Sequence, residues 1–186
     1  LGIVELVGSG DGVYRDCAFV GRTDAGLVPS MPLVLAAAYL GVDPAAVQVI
    51  PGERIQVGAQ SIPMDIFGLT PINFAGPAGT YPHVPAHQVL AREPAALAKL
   101  RSKVVLFGAT AAGLYDLQPS PYDATFPGVE ALANATANLL DGRTLRFVPE
   151  TKRFALSMLL VIGVAAQVGL LPGLWGWAGG LSLLLA

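Results

Sequence analysis

A mixed α/β domain followed by membrane-spanning helices is the fold class the sequence predicts, and three observations predict it. Short β-prone runs alternate with apolar helical patterns over roughly the first 150 residues. Residues 104–107, Val-Val-Leu-Phe, form a continuous apolar run of the kind that suits a strand covered on both faces, as in a parallel sheet. From Phe154 onward charged residues disappear. The expected organisation is a domain over 1–150, a transmembrane helix over 154–171, and the start of a second over 174–186.

Residues 3–7 are β-prone and end at the turn cluster Gly8-Ser9-Gly10-Asp11-Gly12. The strand character of 13–20, with Arg15, Asp16 and Cys17, is weaker. The glycine cluster reads as a hairpin turn, since no helix follows it to offer amide donors to a phosphate. Ser30 is a good N-cap, Pro32 suits a first turn, and 33–40 is an apolar helix closed by Gly41. Short strands are expected at 47–50, 54–57 and 70–74, with turns at Gly52, Gly58 and Gly68. A loop spans 76–85, and 86–100 reads as a helix pair broken at Pro94. After 104–107, Gly108 and Gly113 free the backbone at the strand's end, where open α/β sheets place their binding crevices. Pro127 and Gly128 open a helix to about Leu140, with Gly142 available beyond its end.

Between Asp141 and Arg153 the composition changes, with Arg143, Arg146, Lys152 and Arg153 close together. The uncharged stretch 154–171 would extend roughly 27 Å as a helix, close to a bilayer core. Its Phe, Leu, Ile and Val residues supply roughly −3 to −6 kcal/mol of insertion free energy, against which Gln167 is the main penalty. Pro172-Gly173 breaks the helix, and Trp175 and Trp177 fall near the turn, where interfacial tryptophans sit. The basic cluster ahead of Phe154 favours a cytoplasmic position for that end by the positive-inside tendency.

The chain has 186 residues, 53% hydrophobic and 13% charged, and the charged share is well below the usual quarter because the tail carries none. Net charge is −2 and no basic cluster interleaves with aromatics, which argues against nucleic-acid binding. A single cysteine, Cys17, excludes an internal disulfide and a thiolate zinc site. The absence of an initial methionine and of a basic-then-apolar leader suggests a fragment without its N-terminus.

The pattern Gly108-Ala-Thr-Ala, then Asp116, Pro119 and Pro121, then Pro127-Gly128-Val129-Glu130, Ala133-Asn134 and Leu139-Leu140 resembles the second CHASE family. Looser similarity lies upstream in Asp11-Gly12-Val13-Tyr14-Arg15, Pro29-Ser30, Ile62-Pro63-Met64-Asp65 and Ile72-Asn73-Phe74-Ala75-Gly76-Pro77. The family often has a histidine where Leu132 stands and a larger residue near Ala75. The resemblance implies an extracytoplasmic sensory domain attached to a nucleotide cyclase, histidine kinase or similar output. It also implies two spans and a third beyond Ala186 before that output.

Chemistry-bearing residues are sparse. Residues 108–113 have the glycine spacing of a Walker A loop, but Leu114 and Tyr115 stand where the lysine and hydroxyl belong. The turn offers backbone amides and Thr110 to a small polar ligand, with Asp116 just beyond, either binding it or bracing the loop. Glu130, Asn134, Asn138 and Asp141 align as one polar stripe on a helix, facing solvent or walling a crevice. The candidate ligand-binding set is Gly108, Thr110, Asp116, Glu130 and Asn134. Asp65 and Asp116 form a candidate carboxylate pair. His83 and His87 lack a third metal ligand, no catalytic constellation is evident, and the sequon Asn134-Ala135-Thr136 sits mid-helix.

The expected function is a ligand-sensing input domain with no cofactor and no enzymatic activity of its own. It would bind a small-molecule signal, act as a homodimer, and belong to a multi-pass inner-membrane receptor. The rivals are a membrane-anchored hydrolase or nucleotide-binding enzyme, and a ligand-free structural dimerisation module.

Overall fold

In the computed structural model, residues 2–170 are described, apart from Glu5, Ala25, Pro44, Ala45, 111–115, Phe147 and Pro149. Two compact units divide the chain, Leu1–Arg146 and Phe147–Ala186. The expectations for Gly113, Leu114, Tyr115, Leu171, Trp175, Trp177 and the second span at 174–186 lie outside the described residues.

Unit 1 is mixed α/β, as the alternating pattern predicts. β1 (Leu6–Gly8) pairs antiparallel with β2 (Tyr14–Ala18). Their connection is the expected turn: Gly12 N–H donates to Ser9 O, and Asp11 takes two hydrogen bonds from the Arg15 guanidinium, 2.8 and 2.9 Å. β3 (Val20–Thr23) and β4 (Gly26–Pro29) make a second hairpin, which the sequence pattern did not announce.

α1 (Met31–Leu40) begins and ends where its punctuation placed it: Ser30 is the N-cap, Pro32 lies in the first turn, and Gly41 closes it at φ 66°. Gly41 and Val42 amides return to Ala38 O and Ala37 O. The Ser30 hydroxyl makes no capping bond and is buried without a partner. β5 (Gln48–Ile50), β6 (Arg54–Val57) and β7 (Gln60–Pro63) form a three-stranded antiparallel meander. β8 (Leu69–Pro71) adds to the far edge of β2, with Cys17 opposite Thr70.

α2 (Ala86–Leu90) and α3 (Pro94–Leu100) are the expected broken pair, with Pro94 in the first turn of the second helix, where it forfeits no bond. β9 (Leu117–Gln118) and β10 (Phe126–Pro127) pair briefly and lead into α4 (Gly128–Asp141). α4 lies against α1. Between the helices and the sheets sits one core that includes Phe19, Leu33, Ile55, Ile62, Phe126 and Leu139. Phe74 meets Phe126 edge-on, centroids 5.4 Å apart and planes at 88°.

The run 104–107 corrects the sequence reading. It forms no strand, Val105 is half exposed, and Phe107 is 89% exposed. Every described ladder between strands is antiparallel, and the single parallel contact is the isolated bridge Ile3–Ser30. A strand needs a neighbour for its backbone groups, and β-propensity alone does not supply one. Here the chain passes the head of α4 instead, where a Cβ on Gly108 would lie 2.6 Å from Val129 Cβ.

Unit 2 contains α5 (Glu150–Leu170). Among the described residues no helix is long and apolar enough to cross a membrane.

Candidate functional site

The polar face of α4 is where the fold concentrates its buried polar chemistry. Glu130, Asn134, Thr136 and Asn138 are all at most 5% exposed. Burying such groups is costly unless each is satisfied. Thr136 bonds back to Leu132 O within the helix, 2.7 Å. The other three bind a single stretch of backbone outside the helix, although Asn134 Nδ2 also donates to Glu130 O within it, 2.9 Å.

That stretch is residues 73–81. Asn73 N–H donates to Asn138 Oδ1 at 2.7 Å, and Asn138 Nδ2 returns a bond to Asn73 O at 3.0 Å. Ala75 N–H donates to Asn134 Oδ1, 2.8 Å. Gly79 N–H is shared by both Glu130 oxygens, 2.9 and 3.0 Å, and Tyr81 N–H reaches Glu130 Oε1 at 3.2 Å. His83 Nε2 lies 3.5 Å from Glu130 Oε2.

The match has a geometric reason. The first two donors, 73 and 75, fall on alternate residues, as they do along one edge of a strand; Pro77, next in that series, has no N–H, and the chain turns there. Two extended residues advance about 6.6 Å. Four helical residues advance about 6.0 Å, so Asn138 and Asn134 meet the Asn73 and Ala75 amides almost in step, and the turn at 77–80, where Thr80 N–H donates to Pro77 O, brings Gly79 and Tyr81 back to Glu130. Three members of the stripe read from the sequence, Glu130, Asn134 and Asn138, therefore face inward and hold chain, while the fourth, Asp141, is exposed and pairs with Arg143. Solvent, the commoner destination of such a stripe, is excluded from those three. Glu130 also lies in the first turn of α4, where the helix dipole favours a carboxylate. The Tyr81 hydroxyl is pushed up from its ordinary pKa, chiefly by burial.

The turn end of the candidate set gathers at the same head of α4. Asp116 O accepts the Gly128 amide, 2.9 Å. The Asp116 carboxylate packs on Gly128 so closely that a Cβ there would clash with Oδ1 and sit 3.0 Å from Cγ. Gly128 is thus required by approach, and its φ is unremarkable. Gly108 packs on the next residue, Val129. Thr110 is exposed. Gly108, Asp116 and Glu130 therefore converge on one helix end, while Asn134 sits one turn further along.

Asp65 does something else. Its Oδ1 accepts the Phe67 and Leu69 amides, both at 2.8 Å, and braces the β7–β8 turn. Its carboxylate neighbour is Asp16, whose carboxyl is pushed up by burial first and by Asp65 second. No group of three or more candidate metal ligands occurs among the described residues. Asn134, at 1% exposure inside a helix, is closed to glycosylation. An open apolar concavity of about 260 Å³, lined by residues including Val20, Leu27, Leu33 and Val49, shares no residue with the α4 seam.

Sequence reasoning found Glu130, Asn134 and Asn138 but missed their partners. The available signal was the irregular run Asn73-Phe74-Ala75-Gly76-Pro77 after a strand, whose amides needed acceptors from somewhere.

Comparison with known proteins places this arrangement in a class. Residues 1–171 match the model of a family of extracytoplasmic sensory domains. The chain belongs to that family, the CHASE2 domain. The match reaches α5 as well as the α/β unit. No curated protein and no solved structure shows a significant match.

Proposed function

We propose that this chain is the ligand-sensing input of a bacterial transmembrane receptor that controls a cytoplasmic adenylate or guanylate cyclase or a kinase. The observation that carries the reading is the α4 seam: a buried carboxylate and two buried amides hold down a loop, so what touches the loop acts directly on a core helix. Membership in an extracytoplasmic sensory family supports the same role.

The signal is a small molecule bound near the head of α4, with Gly108, Thr110 and Asp116 at the contact and Glu130 and Asn134 behind the loop. The receptor is a homodimer in the inner membrane, multi-pass, with its sensory domain outside. Its first span is the uncharged stretch 154–171, which runs past the described end of α5 at Leu170; the described helix alone, with its charged first turn, does not meet the length and apolarity of a span. In support, α5 carries no charge after Arg153, and its apolar side chains are exposed all round, Phe154, Leu159 and Ile162 at 61–71%. Gly163 and Ala166 are small enough for close helix packing.

Replacing residues 1–146 by an inert domain in the whole receptor, in matched membranes, tests the reading. Output that no longer responds to the native signal supports it. Unchanged signal-dependent output sinks it.

The saturation of Glu130 and Asn134 by backbone favours one second reading, a ligand-free dimerisation module. Thermal shifts across a broad metabolite panel separate the two, since only a binder is stabilised by mass action.

A further inference from the structure

We propose that residues 73–81 form a strap that seats on α4 or leaves it as a unit, and that this couples the exposed loop around His83 to the point where the chain leaves unit 1. This rests on the sensory reading above and gives it a moving part.

Four features carry the argument. First, side chains hold the strap's amides at Asn73, Ala75, Ala78, Gly79 and Tyr81: Asn138, Asn134 and Glu130 on α4, and Asp123, which accepts from Ala78 at 2.8 Å. No sheet ladder includes these residues, so unseating them breaks no strand pairing. Second, the strap's contacts span α4 from its first turn to its last. Third, the seam continues past the helix. Asn73 Nδ2 donates to Arg143 O, 3.2 Å, and the Arg143 amide donates to Asn138 O, 3.1 Å. Asn138, Asn73 and Arg143 thus close a small ring of bonds at the exit of unit 1. Fourth, Phe74 is set into the core against Phe126 between the two asparagine contacts. That ring resists sliding, since any shift of register would drag it out of its place, and it makes seating close to all-or-none.

The two ends differ as a sensor requires. Gly79 and Thr80 are exposed, and His83 is half exposed, so that end is open to a signal. The other end meets the carbonyl of Arg143, from which the chain runs to unit 2. A signal with unequal affinity for the seated and unseated strap would shift the bonding of Arg143 without touching it.

The experiment measures amide hydrogen exchange in the full chain in detergent micelles, with no signal added. Asn73→Ala removes only the side-chain bond to Arg143. Coupling predicts at least fivefold faster exchange at Gly79 and Tyr81, at the opposite end of the strap. Glu130→Gln weakens the other end, and the same coupling predicts faster exchange at Asn73 and Arg143 by a comparable factor, because linkage is reciprocal. Amides of β6, such as Ile55, are the control. If Glu130→Gln also speeds them, it has loosened the whole unit, and the milder Asn73→Ala decides. Changes confined to Asn73 and Arg143 in that variant overturn the proposal. That failure would leave the domain-replacement experiment free to succeed, and the reverse holds too.

Discussion

Changing Asn138 to Asp swaps one nitrogen for oxygen at constant shape, so it tests the seam without opening a cavity. Asn138 is 5% exposed and accepts from Asn73 N–H while donating to Asn73 O at 3.0 Å. In the variant the first bond survives and becomes charge-assisted, worth about 1 kcal/mol more than before. The second becomes a carboxylate oxygen facing a carbonyl oxygen, forfeiting about 1 kcal/mol of bonding. The charge itself lies buried without a cationic partner, which costs about 3–5 kcal/mol. The net loss is about 3–5 kcal/mol, a large part of a typical stability of about 5–15 kcal/mol. For a chain of this size that lowers Tm by about 10 °C.

Acid supplies the diagnostic. Burial and the carbonyl both raise the folded-state pKa of the new carboxyl, so the penalty is full at pH 7 and shrinks as pH falls through that raised value. The protonated group can then donate to Asn73 O again. Thermal and urea unfolding of the full chain in micelles at pH 7 and pH 4, each referred to the parent at the same pH, measures both. A variant that matches the parent at pH 7, or a deficit that persists undiminished at pH 4, refutes the donor assignment of Asn138.

Three further outcomes are expected. Gly128→Ala gains about 1 kcal/mol of helix propensity but collides with Asp116, so overpacking of about 1–3 kcal/mol wins. The double variant with Asp116→Ala recovers stability, and a purely additive cycle in urea unfolding would contradict the contact. Phe126→Ala empties a site that is 1% exposed and removes the edge-on partner of Phe74, costing about 3–5 kcal/mol by the same assay. Asp16→Asn stabilises at pH 7, because the folded state raises the Asp16 pKa and so disfavours its charged form. The advantage fades as pH falls below the ordinary carboxylate range, where Asp16 is neutral folded or unfolded. A Tm gain that persists there would refute the cause.

Helices α1 and α4 were legible because their signals are local. Pro32, Gly41, Gly128 and Gly142 act on the residues beside them, and an apolar period needs no knowledge of the rest of the chain. Residues 104–107 show the opposite case. Their composition says strand as strongly as any stretch here, but a strand is a relation between two segments, and the second is absent among the described residues. The site divides the same way. Periodicity set Glu130, Asn134 and Asn138 on one face, yet their direction depended on a segment 49 to 65 residues upstream. Asn73, joined to Asn138 across 65 positions, has no local mark at all. The β3–β4 hairpin was missed because its strands are short and its turn residues sparse.

Asn138 has two duties that fix a dimension of the molecule. Its side chain grips Asn73, and its carbonyl receives both the Gly142 and Arg143 amides that end the helix. The C-terminal closure of α4 is therefore set in phase with the seam. One residue inserted between Asn138 and Arg143 would put that closure about 100° out of phase with the seam. It would also carry the Arg143 carbonyl away from Asn73. Length variation in this linker is tolerable only after Arg143, so a comparison of natural relatives should find insertions beginning there and none before it.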